Sequence, residues 1–359
     1  MNSIGTALRL TIFGESHGEL VGAILDGLPP GMKIDMDELN REIEMRKPAP
    51  LIGTARHEAD EVKIASGVKD GILTGTPVLF IMENRDVRSA SYGDMQFIPR
   101  PGHADYTAFV KYRGQSDFRG GGQFSGRLTA PIVAAGAVAR QYLSSKGIRV
   151  AAHVVSIGTV VDGTEYTFDT IENKRFGNEI RCIDGAAAAG MRDAILGARS
   201  DGDSLGGTIR CVADGVPAGL GEPFFDTVEG EISRFMFAIP AVKGIEFGSG
   251  FRGSASRGSV NNDQFVISRD GKGVVTATNN SGGINGGITN GMPLVFRVAV
   301  KPTSSISSKQ RSVDLRTMQE TDLVVRGRHD PCIVPRAVIV VEAALCTVLA
   351  DLYLRSGLK

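Results

Sequence analysis

Three of the chain's five histidines sit inside dense clusters of glycine, acid and arginine: GESHGE around His17, RPGHAD around His103 and RGRHDPC around His329. A carboxylate or guanidinium a few residues from an imidazole can move its proton affinity across neutrality, which proton transfer near pH 7 requires. His57 and His153 lack that setting and read as hydrogen-bonded structural residues. The sharpest cluster is Arg326, Arg328, His329 and Asp330, where Pro331 biases Asp330 away from helical geometry. It reads as an extended turn presenting these side chains, with an Asp-Pro turn flanked by solvated arginines as the plain alternative.

Anion chemistry is suggested at two further places. Arg119 and Arg127 bracket Gly120-Gly121-Gly122, and a helical pattern begins a few residues later. A glycine run lets backbone N–H groups converge on an anion, a helix N-terminus adds partial positive charge, and two guanidiniums would complete a phosphate cradle. Lys301-Pro302-Thr303-Ser304-Ser305 offers one cation and three hydroxyls after a strand-like run, again suited to phosphate oxygens. The glycine-rich stretch from Asn279 to Gly291 has side chains small enough for a planar ring to lie against backbone.

Other familiar patterns lack their required context. Gly14-Glu15-Ser16-His17-Gly18 matches the G-x-S-x-G elbow of hydrolases, with Ser16 as nucleophile. The continuation ELVGAILDGLPPG is a strand and a Pro-Pro turn, the pattern of a hairpin rather than the helix an elbow feeds. Gly248-Ser249-Gly250-Phe251-Arg252-Gly253 matches G-x-G-x-x-G but is followed by SASRGS instead of an amphipathic helix, and no G-x-x-x-x-G-K-[ST] occurs. The four cysteines form no C-x-x-C pair, so no zinc site or disulfide frame is expected and a cytoplasmic, reducing compartment is.

The elements that must position these residues follow from patterning. Asp35 with Glu38 makes a capping-box-like start for a helix to about Arg46, stopped by Pro48. A second helix is expected from Ala130 to Ser145 with Thr129 as N-cap, and others over 184 to 197, 227 to 237 and 335 to 355. Strand-like runs cover Leu8 to Phe13, Val21 to Leu25, Val62 to Ser66, Val78 to Met82, Val150 to Val161, Gly207 to Val212, Phe265 to Ser268, Leu294 to Val300 and Leu323 to Arg326. Blocks of each type, rather than strict alternation, argue for an α+β fold with antiparallel sheets. Without a repeat or linker, residues 1–359 are read as a single domain. At 42% hydrophobic residues the chain can bury a substantial core. Its 46 glycines, nearly twice the usual share of about 7%, imply many tight turns. Forty acidic and forty basic side chains cancel, so nothing global draws the chain to nucleic acid or an anionic membrane, and any anion site must be local. The apolar tract from Ala337 to Leu354 is interrupted by Glu342 and Asp351 and reads as a buried helix rather than a membrane span. The N-terminus has no signal-like apolar region, and export is not expected.

Taken in order, FGESHG, DGLPPG, TGTPV, RPGHADYT, RGGG, GDSLGG, VPAGLGEP, IPAVKGIEFG, NDQF, TNNSGGINGGITNG, KPTSSI and GRHDPC resemble the chorismate synthase family over nearly all 359 residues. The resemblance implies helices packed between antiparallel β-sheets, a homotetramer, and reduced FMN as a required cofactor that is not consumed overall. It implies anti 1,4-elimination of phosphate from 5-enolpyruvylshikimate 3-phosphate to give chorismate, the last step of the shikimate pathway to aromatic amino acids. On that resemblance His17 would be the imidazolium beside the departing phosphate, His103 would keep the flavin in its reactive protonation state, and Asp330 would help flavin nitrogen 5 act as base. The family's cofactor contacts fall here on Gln123, Phe124, Ser125, Pro240, Ala241, Gly286, Lys301, Pro302, Thr303, Ser304, Ser305 and Arg328. Arg46 matches an arginine of the region that takes substrate phosphate or NADPH, and Arg56 is expected in the same anionic pocket. Either NADPH reduces the flavin on the protein or a separate flavin reductase does so.

The chain also departs from that family's pattern. GGGQFSGRLT stands where GGGRSSARET is typical, so Gln123, Phe124 and Leu128 replace an arginine, a serine and a glutamate. Loss of a charged donor would weaken an FMN or substrate contact by about 1.5 to 3 kcal/mol. An arginine expected after Pro48 has no counterpart in APLIGT, and Arg113 looks inserted. These departures are the case for a rival reading, a non-enzymatic relative that binds a flavin or another anion; both clustered histidines and the Asp330 turn speak for retained catalysis.

Overall fold

The computed structural model describes residues 1–50, 52–53, 60–85, 96–325, 327 and 329–358. Two five-stranded sheets enclose a layer of helices. In the first, β1 (Ser3–Ile4), β2 (Arg9–Gly14), β3 (Leu20–Asp26), β4 (Lys63–Ser66) and β5 (Val78–Glu83) pair antiparallel in the spatial order β1-β2-β3-β5-β4. In the second, β6 (Arg149–Ile157), β7 (Val160–Val161), β8 (Gly207–Asp214), β9 (Val242–Phe247) and β10 (Leu294–Val300) pair antiparallel in the order β9-β10-β8-β6-β7. Between the sheets run helices α1 (Met36–Arg46), α2 (Thr129–Ser144) and α3 (Val334–Ser356), with α2 packed along α3. The expected α+β arrangement, helices between antiparallel sheets, is the one observed.

Both central helices are apolar on nearly every face because each has a sheet on one side and helices on the other. Every residue from Thr129 to Ala139 is buried, and α3 is buried from Val334 to Val341 except at Arg336. The α3 helix is long and apolar enough to cross a membrane, yet 94% of its apolar window is buried inside the protein. At the crossing, a Cβ on Gly136 would lie 2.4 Å from the Cβ of Ala343, so only glycine lets the two backbones approach this closely.

Charges inside this layer are paired across elements. Glu342 of α3 has no exposed surface; its carboxylate accepts from Arg140 Nη2 of α2 at 2.7 Å and from the Ala152 N–H of β6 at 2.7 Å, with Arg175 Nε at 2.9 Å. Arg140 also meets Glu42 of α1 at 2.6 Å. Burial pushes the Glu42 pKa up, against the pull of Arg140. Near the other end of α3, Asp351 Oδ1 accepts from the N–H groups of Thr6, Ala7 and Leu8 at 3.0, 2.6 and 2.7 Å, tying the N-terminal segment to the helix.

Local signals placed most elements within a residue or two. Asp35 caps α1, accepting from the Asp37 and Glu38 N–H groups. Helices Gly185–Ser200 and Val228–Met236 occupy their expected spans. Thr129 is not the cap of α2: a 3₁₀ turn, Gly126–Leu128, runs straight into the helix, and it is Ser125 that accepts from the Arg127 N–H. The strand expected over Leu323 to Arg326 is instead Gln319–Leu323, paired with Gln310–Asp314 in an exposed polar hairpin that carried no apolar alternation. Helices Phe168–Lys174 and Asp105–Lys111 were not anticipated, each being too short to show a period.

His153 on β6 is fully buried beside its cross-strand neighbour Arg210, and burial together with that guanidinium lowers its pKa to about 4. The unfolded chain therefore binds a proton between pH 6.5 and 4 that the folded chain refuses, so stability is complete above pH 6.5 and declines as pH falls. We expect this group to remove about 3 kcal/mol across that window. Urea titrations at several pH values should show a shallower decline for His153→Gln than for the unaltered protein; parallel profiles would contradict the assignment.

Candidate functional site

A cavity of about 670 Å³ opens where the elements end rather than along their faces. Its walls are the last turn of α1 with Lys47 and Pro48, the segment from Gly120 to Thr129 that enters α2, residues 237–243 ahead of β9, Lys301 to Ser305 after β10, and the first turns of α3. The N-termini of both α2 and α3 thus abut one space, and each contributes partial positive charge there. Among the described residues, seven lining cations, Arg46, Lys47, Arg100, Arg127, Lys243, Lys301 and Arg336, face two lining carboxylates, Asp60 and Asp330. In a chain of zero net charge, cations are thus concentrated locally around this space.

His103 is held by a carboxylate. Its Nδ1 lies 2.6 Å from Asp105 Oδ1, and Arg100 donates to both Asp105 oxygens through Nε at 2.7 Å and Nη2 at 2.8 Å. Burial alone would raise the Asp105 pKa, but the bonds from Arg100 and His103 outweigh it and hold the carboxyl well below the usual range. An ionised carboxylate only accepts, so the hydrogen-bond network assigns the Nδ1 proton to His103. Arg100 Nη2, 3.1 Å from that nitrogen, cannot also donate to it. The other edge of the ring faces Gly121, where a Cβ would lie 3.5 Å from Nε2.

The segment Lys301 to Ser305 stitches the histidine turn to the Asp330 turn. Lys301 Nζ donates to the Gly102 carbonyl at 2.9 Å, Arg100 Nη1 to Ser305 Oγ at 3.0 Å, and Thr303 Oγ1 to the Asp330 carbonyl at 2.9 Å. Asp330 Oδ2 accepts from Arg336 Nη1 of α3 at 2.5 Å. Burial and the nearby Lys243 lower the Lys301 pKa.

The glycine run does not form the cradle its composition suggested. Gly120, Gly121 and Gly122 take φ of 60°, 86° and 53° in a 3₁₀ turn, and the Gly121 N–H is spent on the Phe118 carbonyl. A Cβ on Gly120 would lie 2.4 Å from His17 Cδ2, and one on Gly122 2.0 Å from the Asp117 carbonyl oxygen. The glycines are therefore needed for backbone and histidine to pass. Arg119 turns away to Asp117, at 2.7 Å. Arg127 turns to Asp60, which it shares with Arg46.

Of the residues expected at the site, His103, Asp330, Arg46, Gln123, Phe124, Ser125, Pro240, Ala241, Lys301, Thr303, Ser304 and Ser305 line the cavity. His17 lies behind Gly120, itself a lining residue, and is almost wholly buried. Pro302 is not a lining residue, and Gly286 lies in the tight hairpin Ile284–Asn285 with Ile288–Thr289, also outside the lining. Arg56 and Arg328 lie outside the described residues. Among the departures from the family pattern, Gln123 and Phe124 reach the cavity, whereas Leu128 is absorbed into the core. Asp60, Asp105 and Arg336 were not singled out from sequence; only Asp105, inside RPGHAD, carried a local signal. Ser16 is fully buried with no hydrogen-bond partner for its hydroxyl among the described residues, and β2 turns directly into β3 rather than into the helix a hydrolase elbow feeds.

A second cavity of about 560 Å³ shares Lys47 and Arg336 with the first. Two of its cations serve the end of α1: Arg181 Nη2 donates to the Met45 carbonyl and Arg336 Nε to that of Arg46 at 3.2 Å.

Residues 8–354 match the sequence profile of the family described as chorismate synthase. A chorismate synthase of Dehalococcoides mccartyi is 49% identical over 99% of this chain and 98% of its own length. One from Pyrococcus abyssi is 50% identical over 97% of this chain and 96% of its own length. A crystal structure of chorismate synthase superposes with a TM-score of 0.77 at 31% identity, covering 98% of this chain and 93% of that one. On sequence, length and fold together, the chain belongs to the chorismate synthase family.

Proposed function

We propose that the cavity takes 5-enolpyruvylshikimate 3-phosphate beside reduced FMN and that the chain eliminates phosphate to give chorismate. The family's reaction is this carbon–oxygen lyase step, and the family is flavin-dependent. The observation that carries the reading for this chain is the excess of cations around one cavity in a chain without net charge. A ring bearing one phosphate and two carboxylates is the kind of ligand such a wall accommodates.

The residues present fit a flavin. Lys301 and Lys243 supply charge for its phosphate, Ser304 and Ser305 hydroxyls, and Gly102, Gly120 and Gly126 leave room for a planar ring against backbone. When bound, reduced flavin supplies electron density to the allylic system as the phosphate departs. The chain's own part is to bind, orient and exchange protons. The lining arginines and lysines neutralise the leaving phosphate. His103 keeps its Nδ1 proton, donates it in a hydrogen bond to Asp105 and turns Nε2 to the glycine loop. His17, behind Gly120, supports the phosphate side as an imidazolium. Asp330, fixed by Arg336 and at its carbonyl by Thr303, would help flavin nitrogen 5 act as the base for the hydrogen leaving carbon 6. NADPH as reductant, or a separate flavin reductase, belongs to the same reading. So does a cytosolic location, supported by four buried cysteines without a disulfide.

A homotetramer is supported by apolar surface left uncovered. In the hairpin Phe265–Ile267 with Val274–Thr276, Phe265, Val266, Ile267 and Val274 are exposed. Sedimentation of the purified protein should give a tetramer, and Phe265→Asp with Ile267→Asp should shift it toward smaller species; unchanged sedimentation would remove this hairpin from the interface.

The activity is tested anaerobically with dithionite-reduced FMN, following phosphate release; binding of reduced FMN without turnover would instead favour the non-enzymatic reading that Gln123 and Phe124 raise. His17→Ala should lower kcat at least about 100-fold with little change in flavin affinity. Lys301→Ala should weaken reduced-FMN binding by about 10-fold or more, the size of a lost charge-assisted hydrogen bond. Equal effects of both variants on both quantities would undo the division of roles.

A further inference from the structure

Arg181 is a cation in a place where a folded chain ordinarily avoids one. The residue is 9% exposed, and its backbone is fixed on both sides: its N–H donates to the Asn178 carbonyl at 3.1 Å, and its carbonyl accepts from the Val154 N–H of β6 at 3.0 Å. Nη2 donates to the Met45 carbonyl in the last turn of α1, whereas Nη1 is buried and meets no hydrogen-bond acceptor among the described residues. Burial lowers the Arg181 pKa to about 10; Glu342 pulls it up, while Arg336 and Arg175 push it further down. Glu342 is already engaged by Arg140 and Arg175. The guanidinium is still charged at neutral pH, so its desolvation is incompletely compensated.

This side chain lines the second cavity, the one of about 560 Å³ against the last turns of α1. Arg41 adds a further cation to the lining. The two carboxylates among the described lining residues are both engaged: Glu44 meets Lys47 at 2.5 Å, and Glu179 accepts from Arg192 Nε at 2.6 Å. Much of the remaining wall is apolar, from Met45, Ala49, Ile52, Phe176, Cys332 and Pro335. Lys47 and Arg336 line both cavities, but Arg181 and Phe176 line only this one, and His103 and Lys301 only the first.

We propose that the second cavity binds a small aromatic carboxylate, its anionic end on Arg181 and its ring against Met45, Ile52 and Phe176. Charge and surface together choose this class of ligand. A bare inorganic anion would answer the guanidinium but leave the apolar wall in water, and a neutral ring would do the reverse. A polyanion would face the Glu44 and Glu179 carboxylates with more charge than one arginine balances. One carboxylate on an apolar body satisfies both halves of the cavity. Nη1 itself is screened from water, so the ligand engages it by drawing the long, unbranched side chain toward the cavity. The inference does not depend on the reaction proposed for the first cavity.

Isothermal titration calorimetry of the full chain with 3-phenylpropanoate tests it, with 3-phenylpropanamide as the same ring without charge and inorganic phosphate as charge without a ring. 3-Phenylpropanoate should saturate one site per chain below about 1 mM, at least about tenfold tighter than either control. Arg181→Met keeps an unbranched stem without the charge and should weaken binding at least about tenfold. That variant also loses the bond to Met45, so Ala49→Trp, which fills the apolar part and leaves Arg181 intact, serves as the second test and should weaken binding by a similar factor. Lys301→Ala, confined to the first cavity, should leave the affinity for 3-phenylpropanoate unchanged. Phosphate binding as tightly as 3-phenylpropanoate would mean a plain anion site, and the amide binding as tightly would mean that Arg181 takes no part. Loss of binding in Lys301→Ala but not in Ala49→Trp would put the probe in the first cavity. Each of these results overturns the proposal, as does a titration that never saturates. Should Arg181→Met fail to fold, Ala49→Trp and the three ligands decide. No turnover is needed, so a catalytically inactive protein would count against the lyase reading and leave this result standing.

Discussion

The packing of α2 on α3 is the constraint from which the rest of the structure follows. Gly136 and Ala343 let the two backbones approach, and the layer so formed is thin enough for a sheet to cover each side. A helix buried on all faces has no solvent for its polar side chains, so Glu342 and Arg140 must be satisfied internally. They are met by Glu42 on α1, Arg175 beyond Phe168–Lys174, and a backbone N–H of β6. One buried carboxylate thus fixes where three helices and one sheet stand. Removing one partner of such a network leaves an uncompensated charge inside the protein, typically a loss of about 3 to 5 kcal/mol.

The same layer sets the position of the site. With α2 and α3 packed side by side, their N-termini open near one another, while α1 ends beside them at Arg46. Loops leaving the second sheet at Lys301 and entering it at Lys243 bring further cations to that rim. Charge that cancels over the whole chain is therefore sorted in space: cations gather where helix N-termini already favour anions, and many acids are spent on surface pairs such as Asp169 and Glu172 with Arg149.

Order within the cavity comes from carboxylates that never need to touch a ligand. Asp105 fixes a tautomer of His103, and Asp60 shares two arginines. Arg336 does the converse, holding Asp330 with one nitrogen and the end of α1 with another. Each arrangement converts a long, mobile side chain into a rigid one, at the cost of burying charge that the neighbouring partners then satisfy.

What the chain states on its own is local. Asp35 capping α1, the alternating runs that became β3, β5 and β10, and the unbroken apolar stretch of α3 depend on residues a few positions apart, and a dozen ordered motifs suffice to suggest the family. Short or polar elements escaped, because the hairpin Gln310–Asp314 with Gln319–Leu323 buries too little to leave an apolar rhythm. Only the tertiary structure decided which guanidinium meets which carboxylate. Arg119 and Arg127 look equivalent around their glycines, yet one turns to Asp117 two residues away and the other to Asp60, 67 residues away along the chain. Likewise His17 sits behind Gly120 while His103 lines the cavity, although both histidines carry similar neighbours in sequence. The physical reason is range: caps and periodicity are written in adjacent residues, whereas ion pairing and burial depend on where the chain crosses itself.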